Sequence, residues 1–451
     1  MSSRFPTLIF ALTLPLLAGE FGPGTNVALL RQGGIGLLAT GDLNRDGIAD
    51  LIGIGTVNNT IGLRINAAGG VDTTLEIPLN ITGKPVDLLV QDLSGDGDPE
   101  IVTLVVNNNT PSASLCVLAG NRQLRFGAVA CTTIPATLLN PLGTLRMLGV
   151  RVPALSFPTG PTPPPVAALL LIDGAAGYVV PATLVDTAVT FGPRAAAGHP
   201  ILSASAIDTN GDGYSDLIYS SDPQGMFEAS LLNILRGSLI TARFDTSAFG
   251  EVVTGDFNGD SRADAAVLDR LTGRLRLFAG TNTALEYKEQ TALQVPDGAA
   301  QANRQLIVVD IDRDGRPDLI ARSVTGIVLY RNAGGFNFTA LREVAPIISA
   351  TSLWNFALAE VNGDSQTDLL YIADNNTTTP PPTAAASLIL HTGRPSFTET
   401  TIELSAPTVN AGTPVRLTAR ISRASQTGGF GVVGGTVQFF ANDLPLETVA
   451  I

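Results

Sequence analysis

Six nine-residue stretches, each carrying at least three carboxylates, constrain this chain more than any other feature. DLNRDGIAD at 42–50 returns as DLSGDGDPE (92–100), DTNGDGYSD (208–216), DFNGDSRAD (256–264), DIDRDGRPD (310–318) and EVNGDSQTD (360–368). Carboxylates this close repel one another, and each one withdrawn from water is costly, so every copy must bring its own compensation. Successive copies start 50, 116, 48, 54 and 50 residues apart. The long interval is twice 58, which places a unit without the motif near residue 150. There TLRMLGVRVPAL aligns with IGLLATGDLNRDG, and the Pro-rich SFPTGPTPPPVAA replaces the acidic loop. Seven units of about 50 residues result.

The units share one grammar. An apolar strand such as IGLLATG enters the acidic loop, and a second strand leaves it at once (DLIGIG, EIVTLV, DLIYSS, DAAVLD, DLIARS, DLLYIA). A third follows as GLRIN, SLCVL, LRLFAG, GIVLYRN or SLILHT, and a Gly- or Asn-containing turn opens a fourth, as in GGFNFTAL. No long stretch has helical periodicity. Four short strands per unit, repeated seven times, predict an all-β chain with a seven-bladed β-propeller. EFGPGTNVALL, just after the leader, reads as a fourth strand without its first three, so residues 20–30 are expected to complete the last blade and close the ring.

From Glu399 the pattern changes, and TPVRLTARISRAS and GGTVQFFANDLPLETVAI read as early strands of an incomplete bacterial Ig-like β-sandwich. Such a sandwich needs about 100 residues and seven strands, so a piece of a longer protein is expected, or a half-domain completed by a partner. The expected organisation is a leader at 1–18, a propeller at 19–398 and a truncated Ig-like domain at 399–451.

Positions 1, 3, 5 and 9 of the loops offer hard oxygens. They are Asp42, Asn44, Asp46 and Asp50; Asp92, Ser94, Asp96 and Glu100; Asp208, Asn210, Asp212 and Asp216; Asp256, Asn258, Asp260 and Asp264; Asp310, Asp312, Asp314 and Asp318; and Glu360, Asn362, Asp364 and Asp368. Position 7 adds a backbone carbonyl from Ile48, Asp98, Tyr214, Arg262, Arg316 and Gln366. Six to eight oxygens at about 2.3–2.6 Å suit Ca²⁺ better than Mg²⁺, and the loops hold no soft ligand for a transition metal. The expectation is up to six structural calcium ions, with loops 256–264 and 360–368 weakest because Ser261 and Ser365 replace the turn glycine and Glu360 replaces the first Asp. The alternative is a set of solvated, Asx-rich turns. An EF-hand is excluded: position 12 would have to be a bidentate Glu, and here it is Gly53, Thr103, Tyr219, Val267, Ala321 and Tyr371.

These motifs resemble the FG-GAP or VCBS repeat family, the propeller type also found in integrin α subunits, over residues 20–398. The resemblance implies that each acidic loop joins the first two strands of a blade and binds calcium there. It also implies adhesion or protein interaction as the class of function.

Nineteen of the 40 acidic residues sit at ligand positions 1, 3, 5 and 9, so the net charge of −13 is mostly a property of the loops. No basic stripe exists to meet nucleic-acid phosphates. MSSRFPTLIFALTLPLLAG has the early cation and apolar run of a secretory leader, with cleavage expected after Ala18 and a buried terminal strand as the alternative. The expected location is therefore extracellular or cell-surface.

The two cysteines, Cys116 and Cys131, fall in one hairpin. A turn near Gly120 and Asn121 would not set them directly opposite, which leaves bridged and unbridged forms both open. His199 and His391 stand outside any nucleophile or metal signature, and Trp354 reads as packing. The leading function is a non-enzymatic interaction scaffold for an unidentified protein or glycan. A lectin-like propeller is second, and a polysaccharide-cleaving enzyme on a similar scaffold third. Long segments at 107–113 and 374–386, at the end of each unit opposite the acidic loops, are expected to meet partners.

Overall fold

The computed structural model describes residues 25–450 except 154–164, 231–240, 375–386, 392–397, 405–416, 424–435, most of 281–304 and 341–351, and a few shorter stretches. The leader expected at 1–18 lies outside the described residues. The described elements are all strands. They form two compact units, one holding the strands between residues 25 and 391 and the other the strands between residues 398 and 450. In the second, Thr398–Leu404 pairs with Leu417–Arg423 and Thr436–Ala441 with Leu444–Ala450.

Among the described residues the larger unit contains seven antiparallel sheets of four or five strands. Sheet 1 runs from Ile35 to Pro78, sheet 2 from Lys84 to Ile134, sheet 3 from Leu145 to Ala196 and sheet 4 from Ser203 to Asp245. Sheets 5 and 6 span Gly250–Lys288 and Leu306–Pro346, and sheet 7 spans Ser352–His391. Thr25–Val27 adds to sheet 7, with Thr25 opposite Leu390 and Val27 opposite Leu388. One strand from the start of the chain thus covers the outer edge of the sheet built last.

The second strands show why the sheets stack. Asp50–Gly55, Asp216–Ser221 and Asp264–Asp269 are buried at every position. A strand covered on both faces needs no polar alternation, and these sequences have none. Among the described residues, each of sheets 1 to 5 shares an apolar core with the next, and sheet 7 shares one with sheet 1. Gln305 Nε2, just ahead of sheet 6, donates to the Phe356 carbonyl of sheet 7 at 3.3 Å. Ile52, Ile54 and Leu63 of sheet 1 meet Ile101 and Leu118 of sheet 2, and Leu104 and Leu115 meet Leu169 and Val180 of sheet 3. Leu170 then meets Leu217 and Tyr219, Ile218 meets Val267 and Phe278, and Phe257 and Leu277 meet Leu319 and Tyr330. Leu38 and Leu51 of sheet 1 pack on Leu370 and Leu388 of sheet 7. The first strands of sheets 1 to 6 lie side by side in order, and sheet 7 returns to sheet 1 through first-strand contacts and the Ala49 N–H donating to the Glu360 carbonyl at 2.8 Å. This is the architecture of a β-propeller.

Polar side chains tie neighbouring first strands together. The Met147 N–H donates to Asp87 Oδ2 (2.7 Å), Ser203 Oγ to Glu251 Oε2 (2.9 Å), and Ser205 Oγ meets Thr254 Oγ1 (2.7 Å). Burial raises the Asp87 and Glu251 pKa values, an effect the nearby Arg146 partly offsets.

Cys116 and Cys131 are directly opposite in the strand register and form a disulfide, with Cα atoms 4.0 Å apart. The sequence reading placed them out of register because it assumed a tight hairpin turn. Instead the chain leaves the strand at Leu118, turns through 121–124 with Leu124 left-handed (φ +57°), and re-enters at Ala130. That longer connection brings the two cysteines level.

Two outcomes test this packing. Leu29 is buried against sheets 1 and 7, where Gly53 and Gly62 leave room for it (a Cβ on Gly53 would lie 2.5 Å from Leu29 Cδ2). Leu29→Ala is expected to cost about 2–5 kcal/mol in denaturant unfolding. Replacing both cysteines by Ser should cost about 3 kcal/mol, the loop entropy of a closure of this length.

Candidate metal centres

Each acidic loop begins where a first strand ends and finishes on the first residue of the second strand. Its conformation is dictated at two positions. Position 6 is left-handed in all six loops, at Gly47, Gly97, Gly213, Ser261, Gly315 and Ser365, with φ between +65° and +90°. Position 4 is also left-handed wherever it is described, at Arg45, Gly95, Gly211, Gly259 and Gly363. Two left-handed residues in six wind the chain into a tight coil whose amides point inward.

The side-chain oxygens follow the coil. The position 1 carboxylate accepts from amides three to five residues on: Asp42 from Asp46 (3.1 Å) and Gly47 (2.9 Å), Asp256 from Gly259 (2.7 Å) and Ser261 (2.7 Å). Asp208 and Asp310 take the position 6 amide in the same way, at 2.8 and 2.9 Å. Position 3 accepts from position 5, as Asn210 does from Asp212 (2.9 Å) and Asn362 from Asp364 (2.8 Å). Position 5 accepts from position 7, pairing Asp46 with Ile48, Asp96 with Asp98, Asp212 with Tyr214, Asp260 with Arg262 and Asp364 with Gln366, all at 2.7–2.9 Å. The oxygens at positions 1, 3 and 5 therefore each hold amides of their own loop. Asp312 lies outside the described residues, and Asp314 and Arg316 belong to the same loop.

Position 9 is different. Asp50, Glu100, Asp216, Asp264, Asp318 and Asp368 are all buried, at no more than 2% exposure. Each accepts the amide of position 2, from Leu43, Leu93, Thr209, Phe257, Ile311 and Val361, at 2.7–3.1 Å. In three sheets the second oxygen also takes an amide from the end of the third strand: Asn66 to Asp50 (2.8 Å), Gly280 to Asp264 (2.7 Å) and Asn332 to Asp318 (2.7 Å). Asn66 and Asn332 complete the lock by donating their side-chain amides to the Ala49 and Pro317 carbonyls, at 2.8 and 3.1 Å. Sequence reasoning missed these asparagines, although GLRIN and GIVLYRN both end on one at the same phase.

Burial and like charge act on these carboxylates together. Asp50 is pushed up to about 6, first by burial and then by Asp46 and Asp42, against the opposing amides of Asn66 and Leu43. Asp264 is also pushed up to about 6 by burial, with Asp260 adding to the effect. Glu100 and Asp216 are raised for the same reason.

The donor set fits a hard cation. Asp92, Asp96 and Glu100 bring a carboxylate oxygen each to within 4.8 Å of one another, the one such trio found among the described residues. A carboxylate oxygen has two lone pairs, so an amide on one leaves the other available. Asp98 has a second role: its side chain pairs with Arg45 of the preceding loop at 2.8 Å and with Arg122 at 3.8 Å. Sheet 3 has no acidic loop, and its second strand opens on Pro165.

The FG-GAP-like repeat family matches residues 256–321 and 310–371. No curated protein matches the sequence. Among solved structures the chain is similar to BBS1N, crystallised with ARL6DN and soaked with lead, at 14% identity and TM-score 0.52 over 84% of this chain and 99% of that one. It is also similar to an Agrocybe aegerita lectin described as recognising non-reducing terminal N-acetylglucosamine, at 16% identity and TM-score 0.48 over 70% of this chain and 81% of that one. A Bacillus licheniformis rhamnogalacturonan lyase follows at 13% identity and TM-score 0.45, over 82% and 75%.

The raised pKa values give a pH test. In the folded state Asp50 and Asp264 hold protons up to about pH 6, whereas the unfolded chain releases them near 4. Between those values the folded state binds more protons, so metal-free stability falls as pH rises. The metal-free protein should therefore melt higher at pH 5 than at pH 7. Ser261→Gly and Ser365→Gly should each raise stability by about 0.5–1 kcal/mol, since a left-handed non-glycine costs about 1–2 kcal/mol and glycine's unfolded-state entropy returns part of it. Residues 256–371 are similar to FG-GAP-like repeats, and they are carried on a β-propeller.

Proposed function

We propose that this chain is an exported, calcium-stabilised propeller of seven blades that serves as a non-enzymatic interaction scaffold, followed by Ig-like strands. The observation that carries the calcium reading is the carboxylate trio of Asp92, Asp96 and Glu100, set in a coil that five other loops share. Three charges at that separation, one of them buried, need a cation or a proton.

In this reading positions 1, 3 and 5 hold Ca²⁺ with the position 7 carbonyl, and position 9 contributes from below while it locks the hairpin. The ion supplies positive charge at the hairpin tip and nothing more. Its role is structural, because the loops crosslink the first and second strands of six blades. Six divalent ions would nearly cancel the net charge of −13.

Export is supported by the leader pattern at 1–18 and by the Cys116–Cys131 disulfide, which persists in oxidising compartments. No helix among the described residues is long and apolar enough to cross a membrane. A rigid disc carrying variable turns away from the ion sites suits partner binding.

Calcium titration by calorimetry, with EGTA-treated protein as the reference, tests the reading. Calcium should raise the melting temperature by several degrees and reverse the pH trend described above, and Asp96→Ala should remove one ion from the stoichiometry. An EGTA-treated protein with an unchanged melting curve and no bound metal would reject it.

A further inference from the structure

Away from the ion loops, at the opposite end of the second strands, a cleft of about 450 Å³ opens between sheets 2 and 3. Its walls come from three connections. Pro111 belongs to the second-to-third-strand turn of sheet 2, Ala136, Asn140 and Pro141 to the link between the sheets, and Asp173, Ala176 and Tyr178 to the equivalent turn of sheet 3. Arg194 closes the side.

The cleft is a built site. Asp173, 1% exposed, sits at its base and ties two walls together by accepting the Asn140 amide on Oδ2 and the Ala176 amide on Oδ1, both at 3.2 Å. Prolines 111 and 141 stiffen the other walls. Arg194 lies over the Tyr178 ring, its guanidinium carbon 4.2 Å from the centroid, which fixes the planar group by a cation–π contact. Among the described residues Arg194 has no acidic partner, and the Tyr178 hydroxyl has no hydrogen-bond partner. In a chain with 40 acids against 27 basic side chains, an oriented and unpaired guanidinium beside a free phenol is a donor set awaiting an acceptor.

We infer that this cleft binds a carboxylate-bearing sugar, a uronic acid residue of an acidic glycan. The Arg194 fork meets the carboxylate edge-on, as guanidinium geometry favours. The Tyr178 hydroxyl takes a ring hydroxyl, and the proline and alanine walls cover the apolar face of the pyranose. The volume falls within the range of small-ligand sites, about 300–1,000 Å³. It accepts one or two sugar rings, whereas an acidic peptide side chain would fill only the Arg194 corner. The inference rests on reading the disc as a binding scaffold, but not on calcium. It is read out by dependence on Arg194, and the loops by ion stoichiometry, so either can fail alone.

The test uses the full chain in calcium buffer, titrated by calorimetry with a galacturonate trisaccharide, a guluronate trisaccharide, the neutral galactose trisaccharide and a tetraglutamate peptide. At least one acidic saccharide should bind with the neutral one much weaker. Arg194→Gln should lower affinity roughly tenfold or more, Arg194→Lys should restore part of it, and Tyr178→Phe should cost roughly twofold to fivefold. Each variant should melt with the wild type, which separates loss of contact from loss of fold. Equal binding of the neutral trisaccharide, unchanged binding by Arg194→Gln, stronger binding of the peptide, or no acidic saccharide bound at millimolar concentration would each overturn the inference.

Discussion

The structure depends on one hydrogen bond repeated six times: a buried carboxylate on the first residue of the second strand accepts the amide two residues past the end of the first. A buried amide left without an acceptor costs about 1–3 kcal/mol, and a buried carboxylate without donors costs more. Each satisfies the other here, so the reversal of the chain is set where the sheet must start. The next residues are apolar and buried on both faces, so a one-residue slip would carry the charge into the core between sheets. The acid thus acts as a register pin as well as a charge.

That arrangement leaves the electrostatics incomplete. A single buried carboxylate with two good amides can remain ionised. Two more acids wind above it, and for Asp50 and Asp264 the amides do not outweigh burial and like charge together. The surplus is what a divalent ion would neutralise. Sheet 3 dispenses with the lock altogether. It begins its second strand on Pro165, has no carboxylate to bury there, and still pairs in unbroken register from Leu145–Asp173 to Pro153–Pro165. Its nine-residue strands replace the loop lock with ladder length.

Much of this was legible because period and phase survive in the sequence. The acidic motif marks one strand junction per unit, and the apolar runs on either side make the all-β propeller readable without coordinates. What was not legible is the division of labour inside the motif. Composition treats positions 1, 3, 5 and 9 as equivalent oxygens, and only burial separates the last from the rest. The clue was local: position 9 runs straight into DLIGIG or DLIYSS with no polar residue between, so it must be inside. Asn66 and Asn332 were hidden for a related reason, since an Asn at a strand end reads as a turn residue until its amide is seen reaching the Ala49 or Pro317 carbonyl. The cysteine register was obscured because turn residues at 120–121 suggested a tight hairpin where the chain makes a wider excursion.

The loops are also not independent of one another. Arg45, at position 4 of the first loop, occupies a left-handed conformation that glycine takes in every other described copy. A non-glycine there costs about 1–2 kcal/mol, so its side chain has to return something. It extends into the second loop, with its guanidinium 3.2 Å from the Asp96 carbonyl and 2.8 Å from the Asp98 carboxylate, at a place where a Cβ on Gly97 would meet it. Asp98 and Asp96 belong to the loop with the tightest carboxylate trio, the one most in need of positive charge nearby. A cation from the neighbouring sheet therefore braces the acidic loop of the next. Loop shape is thus passed from sheet 1 to sheet 2 on the acidic-loop side, leaving the other side to the cleft of Tyr178 and Arg194.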